Sequence, residues 1–439
     1  MRPIHFILMA SISLLVPCQT HAAAKGKPSS PSDKSGKEVA APGKQVVIEK
    51  SPEQPRFYGD VEYLLWWVKN APLSVPLVST GPISSTHHGL LGPPAEDAAE
   101  STVLYGAPHS PAQGGNDSQR FPAFSGMRVK LGYNLGDSQR AAIEASGFFL
   151  GSRSAGYSAN SDGNGNPILG FPVYNSIPYT IGSMTIRQGE DSLPISIPND
   201  PQRARANGII IGAVKISNNL QLWGADLNVV ISLYRAPSWT LSGLVGFRYL
   251  DLKESLNITG RIEGVSGFYR GQSGVVVDEF ATHNQFFGGT LGLRESYSSG
   301  RLSVDLTARV SLGVSHEIEN IAGGFTSVNF TAPSAAGTEG IFAQPANEGR
   351  SSSNKFAVVP EVQLKIGYNI TPRLRATIGY DFLYYNNVLR PGDQIDRNVP
   401  KGQTFNQADP TVSTTSPSRL SKTTDFFAHG LSVGMEFRF

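Results

Sequence analysis

Two histidines stand beside groups that could build a catalytic or metal-binding constellation. His283 is followed by Asn284, and His316 by Glu317 and Glu319, so each pairs a proton-carrying imidazole with an oxygen able to orient it or to share a metal. The histidines at 21, 87, 88, 109 and 429 are scattered. No G-x-S-x-G run is present and no histidine spacing suits zinc. Asp162-Gly-Asn-Gly-Asn166 alternates oxygen ligands with glycine as a calcium loop does, but lacks the later bidentate glutamate and reads as a flexible turn. Arg390-Pro-Gly-Asp-Gln-Ile-Asp-Arg397 sets two arginines against two aspartates around a Pro-Gly turn, which reads as a self-satisfied anchor for a loop. The expectation is no catalytic residue, no metal and no cofactor.

A second set of ionisable residues is far more regular. Asp60, Glu62, Arg128, Lys130, Glu144, Asp226, Arg248, Arg294, Asp305, Arg309, Glu361, Lys365, Arg375, Asp381 and Glu436 all fall on one face of segments whose other face is apolar. Leu302, Val304, Leu306, Ala308, Val310 and Leu312 alternate with Ser303, Asp305, Thr307, Arg309, Ser311 and Gly313. A period of two belongs to a β-strand, not to a helix. Comparable segments cover 57–68, 127–133, 141–149, 208–233, 239–252, 282–297, 301–313, 358–369, 374–385 and about 424–439, which makes ten strands.

The connections between them fall into two alternating classes. Those at 134–138, 234–237, 298–300 and 369–373 are short, whereas those at roughly 69–122, 152–207, 253–281, 314–355 and 386–423 are long. All short turns therefore lie at one end and all long loops at the other, the plan of a bacterial outer-membrane barrel. An apolar face in water needs a second layer to cover it, and no helical pattern supplies one. Lipid is the simpler cover, and closure of the sheet satisfies the backbone groups that lipid cannot. The fold expected is all-β: one antiparallel up-and-down transmembrane barrel of about ten strands, twelve if two more hide in 152–207 or 69–122. On that reading Arg128, Lys130, Glu144, Asp226, Arg248, Asp305, Arg309, Glu361, Lys365, Arg375 and Asp381 face the lumen, where opposite charges can pair. The adjacent Trp66 and Trp67 suit a membrane interface.

The ends of the chain read differently. Arg2, an apolar run over 4–16 and Ala22-Ala23-Ala24 make residues 1–24 a signal peptide. The only cysteine, Cys18, lies in it, so no disulfide is expected. Residues 25–55 mix Lys, Ser, Pro and Gly without a hydrophobic period and read as a disordered periplasmic linker, which leaves 56–439 for the barrel. Leu431, Val433, Met435, Phe437 and Phe439 alternate with polar residues, an ending similar to the C-terminal strand that barrel assembly machinery reads, with Phe437 and Phe439 as its signal.

Composition agrees. Glycine is 47 of 439 residues, about 11% against a usual ~7%, and charge is only 16%. A net charge of +2 gives no ground for a nucleic-acid partner. The expected partners are outer-membrane lipid, the assembly machinery, and small polar solutes or surface partners.

Several runs resemble the beta barrel porin-7 family: Glu62-Tyr-Leu-Leu-Trp-Trp67, Ile143-Glu-Ala-Ser-Gly-Phe-Phe-Leu-Gly151, Leu222-Trp-Gly-Ala-Asp226, Val245-Gly-Phe-Arg-Tyr-Leu-Asp251, Phe356-Ala-Val-Val-Pro-Glu-Val362, Tyr380-Asp-Phe-Leu-Tyr-Tyr-Asn-Asn-Val388 and Arg390 to Arg397. The resemblance spans about 57–439. It implies an outer-membrane barrel and brings no substrate or catalytic residue. Two functions are then expected: a narrow pore for ions or small polar solutes, or a structural barrel whose long loops meet partners. Ten strands lie nearer the filled eight-stranded barrels than the open ones of 16–18.

Overall fold

A computed structural model describes residues 56–439 apart from 83–90, 92–100, 109, 111, 113, 137–139, 182–183, 187, 200–207, 330–334 and 401–414. The leader, the Lys-rich linker and His21, His87, His88 and His109 lie outside the described residues. Ten long strands alternate in direction: β1 (Phe57–Val68), β2 (Phe124–Leu135), β3 (Ala141–Asn160), β4 (Ile210–Arg235), β5 (Trp239–Gly264), β6 (Ser273–Ser299), β7 (Leu302–Val328), β8 (Gly349–Thr371), β9 (Leu374–Leu389) and β10 (Thr423–Arg438). Each pairs antiparallel with the next in sequence, and β10 pairs with β1 to close the ring. At the closure Tyr58 stands opposite Arg438 and Val68 opposite Ala428, and Phe57 and Phe439 exchange backbone hydrogen bonds of 3.2 and 2.8 Å. Every backbone edge that lipid would leave unsatisfied is thus paired. The barrel is all-β, with ten strands.

Alternation explains which side of each strand meets lipid. On β7, Leu302, Val304, Leu306 and Leu312 are exposed and Ser303, Thr307 and Ser311 are buried. The outward set on β4 is Trp223, Leu227, Val229, Ile231 and Leu233, and on β10 it is Leu431, Val433, Met435, Phe437 and Phe439. Aromatic residues ring both edges of this belt, as expected where a ring is half in lipid and half in headgroups. Phe57 and Tyr133 are 4.8 Å apart at the lower edge, as are Tyr234 and Trp239 at 5.2 Å; Tyr249 lies 5.0 Å from both Trp223 and Phe287 at the upper edge.

Above the belt the strands continue but their polarity inverts. On β4 the inward residues Ile210, Val214, Ile216, Leu220 and Leu222 are apolar and buried, while Lys215, Ser217, Asn219 and Gln221 point outward. Below Trp223 the same parity carries Asp226 and Asn228 inward. β5 inverts between Tyr249 and Asp251, with Leu252, Leu256 and Ile258 inward and Lys253, Asn257 and Arg261 outward. Water rather than lipid surrounds this part, so the apolar face must turn inward.

The inversion corrects the expected loop lengths. Residues 253–264 and 273–281 extend β5 and β6, leaving only 265–272 as a connection; 314–328 and 349–355 likewise extend β7 and β8, and 152–160 extends β3. A strand recognised by its lipid face ends in the sequence where the lipid ends, although the hydrogen-bonded ladder does not.

The tall strands enclose a cap built from the remaining connections. Short strands at Gly189–Pro194, Gly170–Asn175, Pro76–Thr80 and Thr102–Gly106 pair in that order, and Asn398–Val399 joins Gly170–Asn175 in parallel. The candidate extra strands of 69–122 and 152–207 therefore belong to the cap, not the barrel. Leu77, Val78, Tyr105, Phe171 and Val173 of the cap pack on Val214, Ile216, Leu256, Ile258, Phe280 and Ile321 of the wall. Each such side chain contributes about 1.5–3 kcal/mol when fully buried, so the cap is a fixed part of the fold.

Asp278 of β6 pins the cap to the wall. Its Oδ1 accepts the backbone N–H groups of Ile341, Phe342 and Ala343 at 2.8, 2.9 and 2.8 Å, and a side chain at Gly340 would collide with that oxygen. Burial pushes the Asp278 carboxyl up to about 7, with Glu348 adding to the shift, against the pull of the three N–H donors. A carboxyl raised above its unfolded value is favoured protonated, so its contribution is complete below about pH 4 and is lost as pH rises through about 7. The protection factors of amides 341–343, which are exchange rates taken relative to base-catalysed intrinsic exchange, are expected to be several-fold lower at pH 8 than at pH 5. Asp278→Asn, which keeps the accepting oxygen, should remove this dependence, whereas Asp278→Ala should lower protection at both pH values.

Candidate functional site: the filled lumen

The lower lumen is an ion-pair network to which all ten strands contribute. Arg128 of β2 donates to Glu62 of β1 at 3.0 Å and to Asp381 of β9 at 2.9 Å. Arg248 of β5 reaches Asp226 of β4 at 2.6 Å and Glu361 of β8 at 2.5 Å, and is itself fully buried. Arg309 of β7 meets the same two carboxylates at 3.5 and 2.9 Å. Lys365 bonds Asp60 at 2.9 Å and also contacts Glu62, while Lys130 approaches Asp60 at 3.7 Å.

Toward the periplasmic mouth, Arg294 forks onto Glu144 at 2.6 and 2.8 Å, and Tyr58 donates to the same carboxylate at 2.5 Å. Arg375 bridges Asp305 at 2.5 Å and Glu436 at 3.0 Å, and Arg438 adds a bond to Glu436 at 2.8 Å. A side chain at Gly367 would occupy the place of the Arg375 guanidinium, so glycine there makes room for it.

All eleven residues singled out as lumen-facing lie in this network. Asp60, Glu62, Arg294, Glu436 and Arg438 complete it, the first four from the same polar faces in the sequence. Eight cations (Arg128, Lys130, Arg248, Arg294, Arg309, Lys365, Arg375, Arg438) then meet eight carboxylates (Asp60, Glu62, Glu144, Asp226, Asp305, Glu361, Asp381, Glu436). Sequence could name the members but not the partners, since Arg128 and Asp381 are 253 residues apart.

Over this network lies an apolar layer. Leu64, Trp66, Phe124, Phe148, Leu222, Leu250, Phe286, Val359, Leu383, Tyr385 and Phe426 are buried in one cluster across the lumen. Trp66 packs 5.5 Å from Phe148, Phe286 lies 5.8 Å from Tyr385, and the Arg128 guanidinium sits 5.4 Å over the Trp66 ring. The Trp pair is therefore divided: Trp67 faces outward beside His429, and Trp66 points in to seal the lumen.

Doubled apolar residues mark this level in the sequence. Trp66-Trp67, Phe148-Phe149, Leu222-Trp223, Tyr249-Leu250, Phe286-Phe287 and Phe426-Phe427 each send one side chain to the layer and one to lipid or its edge.

The remaining candidates fall elsewhere. His283 bonds Asp251 at 2.8 Å and His316 bonds Asn354 at 2.7 Å, both from the outward side of the strands; His429 bonds Tyr380 at 2.9 Å. Asp162 closes its own turn by accepting the N–H groups of Asn164 and Asn166. The 390–397 run does anchor a loop over the mouth, but not by pairing with itself. Arg390, fully buried, forks onto Glu254 at 2.8 and 2.5 Å and donates to the Asn70 carbonyl at 2.7 Å, while Arg397 pairs with Glu190 at 2.6 Å. No sequence period links 254 to 390. Phe437 and Phe439 point outward at the end of β10, their rings 6.4 Å apart. Among the described residues no group of three or more His, Cys, Asp or Glu could hold a metal ion.

The model of the family described as Putative beta barrel porin-7 (BBP7) matches residues 58–439, the whole of the barrel and its cap. The chain belongs to this family. A porin-7 barrel is thus an outer-membrane protein, in contact with lipid around its belt. Solved structures similar to it include the outer membrane protease OmpT from Escherichia coli, at 10% identity over 89% of this chain and 98% of that one with a TM-score of 0.39. The anion-selective porin from Comamonas acidovorans is similar at 9% identity over 87% and 98%, with a TM-score of 0.17. No curated protein matches the porin-7 chain.

Proposed function

We propose that this porin-family barrel is closed at rest, passing ions and small polar solutes weakly or not at all, and that it acts mainly through its rigid cap outside the cell. The apolar layer across the lumen, from Trp66 and Phe148 to Phe286 and Tyr385, carries this reading. Ions crossing it would shed their water among side chains that are almost all apolar, with little to replace it. A second reading, a narrow pore, is supported by the charged lower lumen and needs the layer to part. Its balanced charge gives no strong preference for anions or cations. We assign no catalytic step, since His283 and His316 are each held by a neighbouring wall residue on the outward side.

Single-channel recording of the refolded protein in planar bilayers tests the proposal. Small, weakly selective conductance or none is expected. Thinning the layer with Trp66→Ala, Phe148→Ala and Phe286→Ala together should raise it several-fold. A large, stable open state in the unmodified protein would establish the pore and refute the closed barrel.

A further inference from the structure

The outward wall above the lipid belt carries a cationic dish on three neighbouring strands. In register across β3, β4 and β5 stand three rows: Asn160, Ala213 and Arg261; Ser158, Lys215 and Thr259; Gly156, Ser217 and Asn257. The small residue Ala213 leaves a depression, and the cavity along this wall, lined also by Ser158, Lys215, Asn257, Thr259 and Arg261, measures about 480 Å³. Among the described residues neither Lys215 nor Arg261 makes an ion pair or side-chain hydrogen bond, whereas Lys253 and Lys355 of the wall lie near Asp251 and Glu317 at 3.9 and 3.7 Å.

We propose that this dish binds an anionic saccharide, a sugar bearing a carboxylate or phosphate. Two free cations on a diagonal supply the sites for the acidic group, as charge-assisted hydrogen bonds are the stronger kind. Ser158, Ser217, Asn257, Thr259 and Asn160 offer hydroxyl and amide groups, which can donate to and accept from sugar hydroxyls. No carboxylate stands within the three rows; Glu263 and Glu279 border them on the outward parity, and Asp162 lies two residues beyond Asn160. An apolar or basic partner would leave this chemistry unmatched. The place fits as well: Lys215 lies eight residues along β4 from Trp223 at the belt's upper edge, a rise of about 20 Å for a strand tilted as in such barrels, above the lipid headgroups. The sugar can be a membrane glycolipid's head or a free saccharide, since the chemistry is shared.

The full chain in detergent micelles should be titrated calorimetrically with trigalacturonate, with neutral maltotriose, and with inorganic phosphate alone. Trigalacturonate is expected to bind at least about tenfold more tightly than either, more weakly as salt rises. Lys215→Gln with Arg261→Gln should reduce that affinity at least about tenfold, and Ala213→Phe, which fills the dish and keeps both cations, should also reduce it. Both variants change exposed side chains, and unchanged heat-modifiability of the barrel would show that they fold. Reconstitution into vesicles with and without an acidic glycolipid separates the two sources: competition by the glycolipid marks a membrane-borne sugar, and its absence a soluble one. Equal binding of maltotriose, equal binding of phosphate alone, no binding of trigalacturonate, or affinity indifferent to the double substitution would each overturn the proposal.

Discussion

Replacing Arg248 by alanine is expected to destabilise the barrel by about 3–5 kcal/mol, because it removes one cation from between two carboxylates and leaves both buried. Asp226 and Glu361 hold Arg248 from opposite strands, and all three side chains are almost wholly shielded from water. Arg309 still touches both carboxylates, so the loss is that of half the local compensation. Urea unfolding in lipid vesicles, followed by heat-modifiable mobility, would measure it. Arg248→Met with Asp226→Leu, which removes one charge of each sign, should recover more than half of the loss. If the single change costs less than about 1 kcal/mol, the lumen is far wetter than this packing allows.

An arginine at Leu306 should cost about 2–4 kcal/mol, the penalty for a cation on the lipid face near the bilayer midplane. Leu306 lies on β7 between Val304 and Leu312, all exposed outward in the belt. Asn320 of the same strand has the same outward parity but stands above the belt, exposed to water. Asn320→Arg is therefore expected to change stability by less than about 0.5 kcal/mol. The same vesicle unfolding assay checks both, and equal losses at the two positions would place the membrane boundary wrongly on β7.

These contrasts show which parts of the molecule its sequence displays. From Leu302 to Gly313 lipid and lumen impose one rule on alternate residues, and that rule is visible without any partner in hand. Past Val314 the ladder goes on, but Glu317, Glu319 and Ile321 now point inward together, so no single polarity marks either face. The cap is harder still. Phe171 and Phe342 meet at 6.4 Å from separate connections, and Arg390 finds Glu254 across 136 residues; such contacts depend on closure of the whole ring. The doubled residues at the upper edge of the belt are an exception. A pair such as Phe286-Phe287 breaks the alternation of polar and apolar, and that break is the trace of a second apolar surface inside.

The layer formed by those inward partners has an electrical consequence. Water enters the lower network from the periplasmic mouth, where the Arg294, Lys130 and Arg438 side chains are 21%, 20% and 35% exposed, and it fades upward to Arg248 and Glu361 at 0% and 2%. A wet mouth below a dry span of paired charges and packed rings behaves as a conductor in series with an insulator. Any potential between the periplasm and the exterior then falls mostly across that dry span, not across the whole bilayer. Arg128, seated against Trp66 and balanced by Glu62 and Asp381, stands inside it.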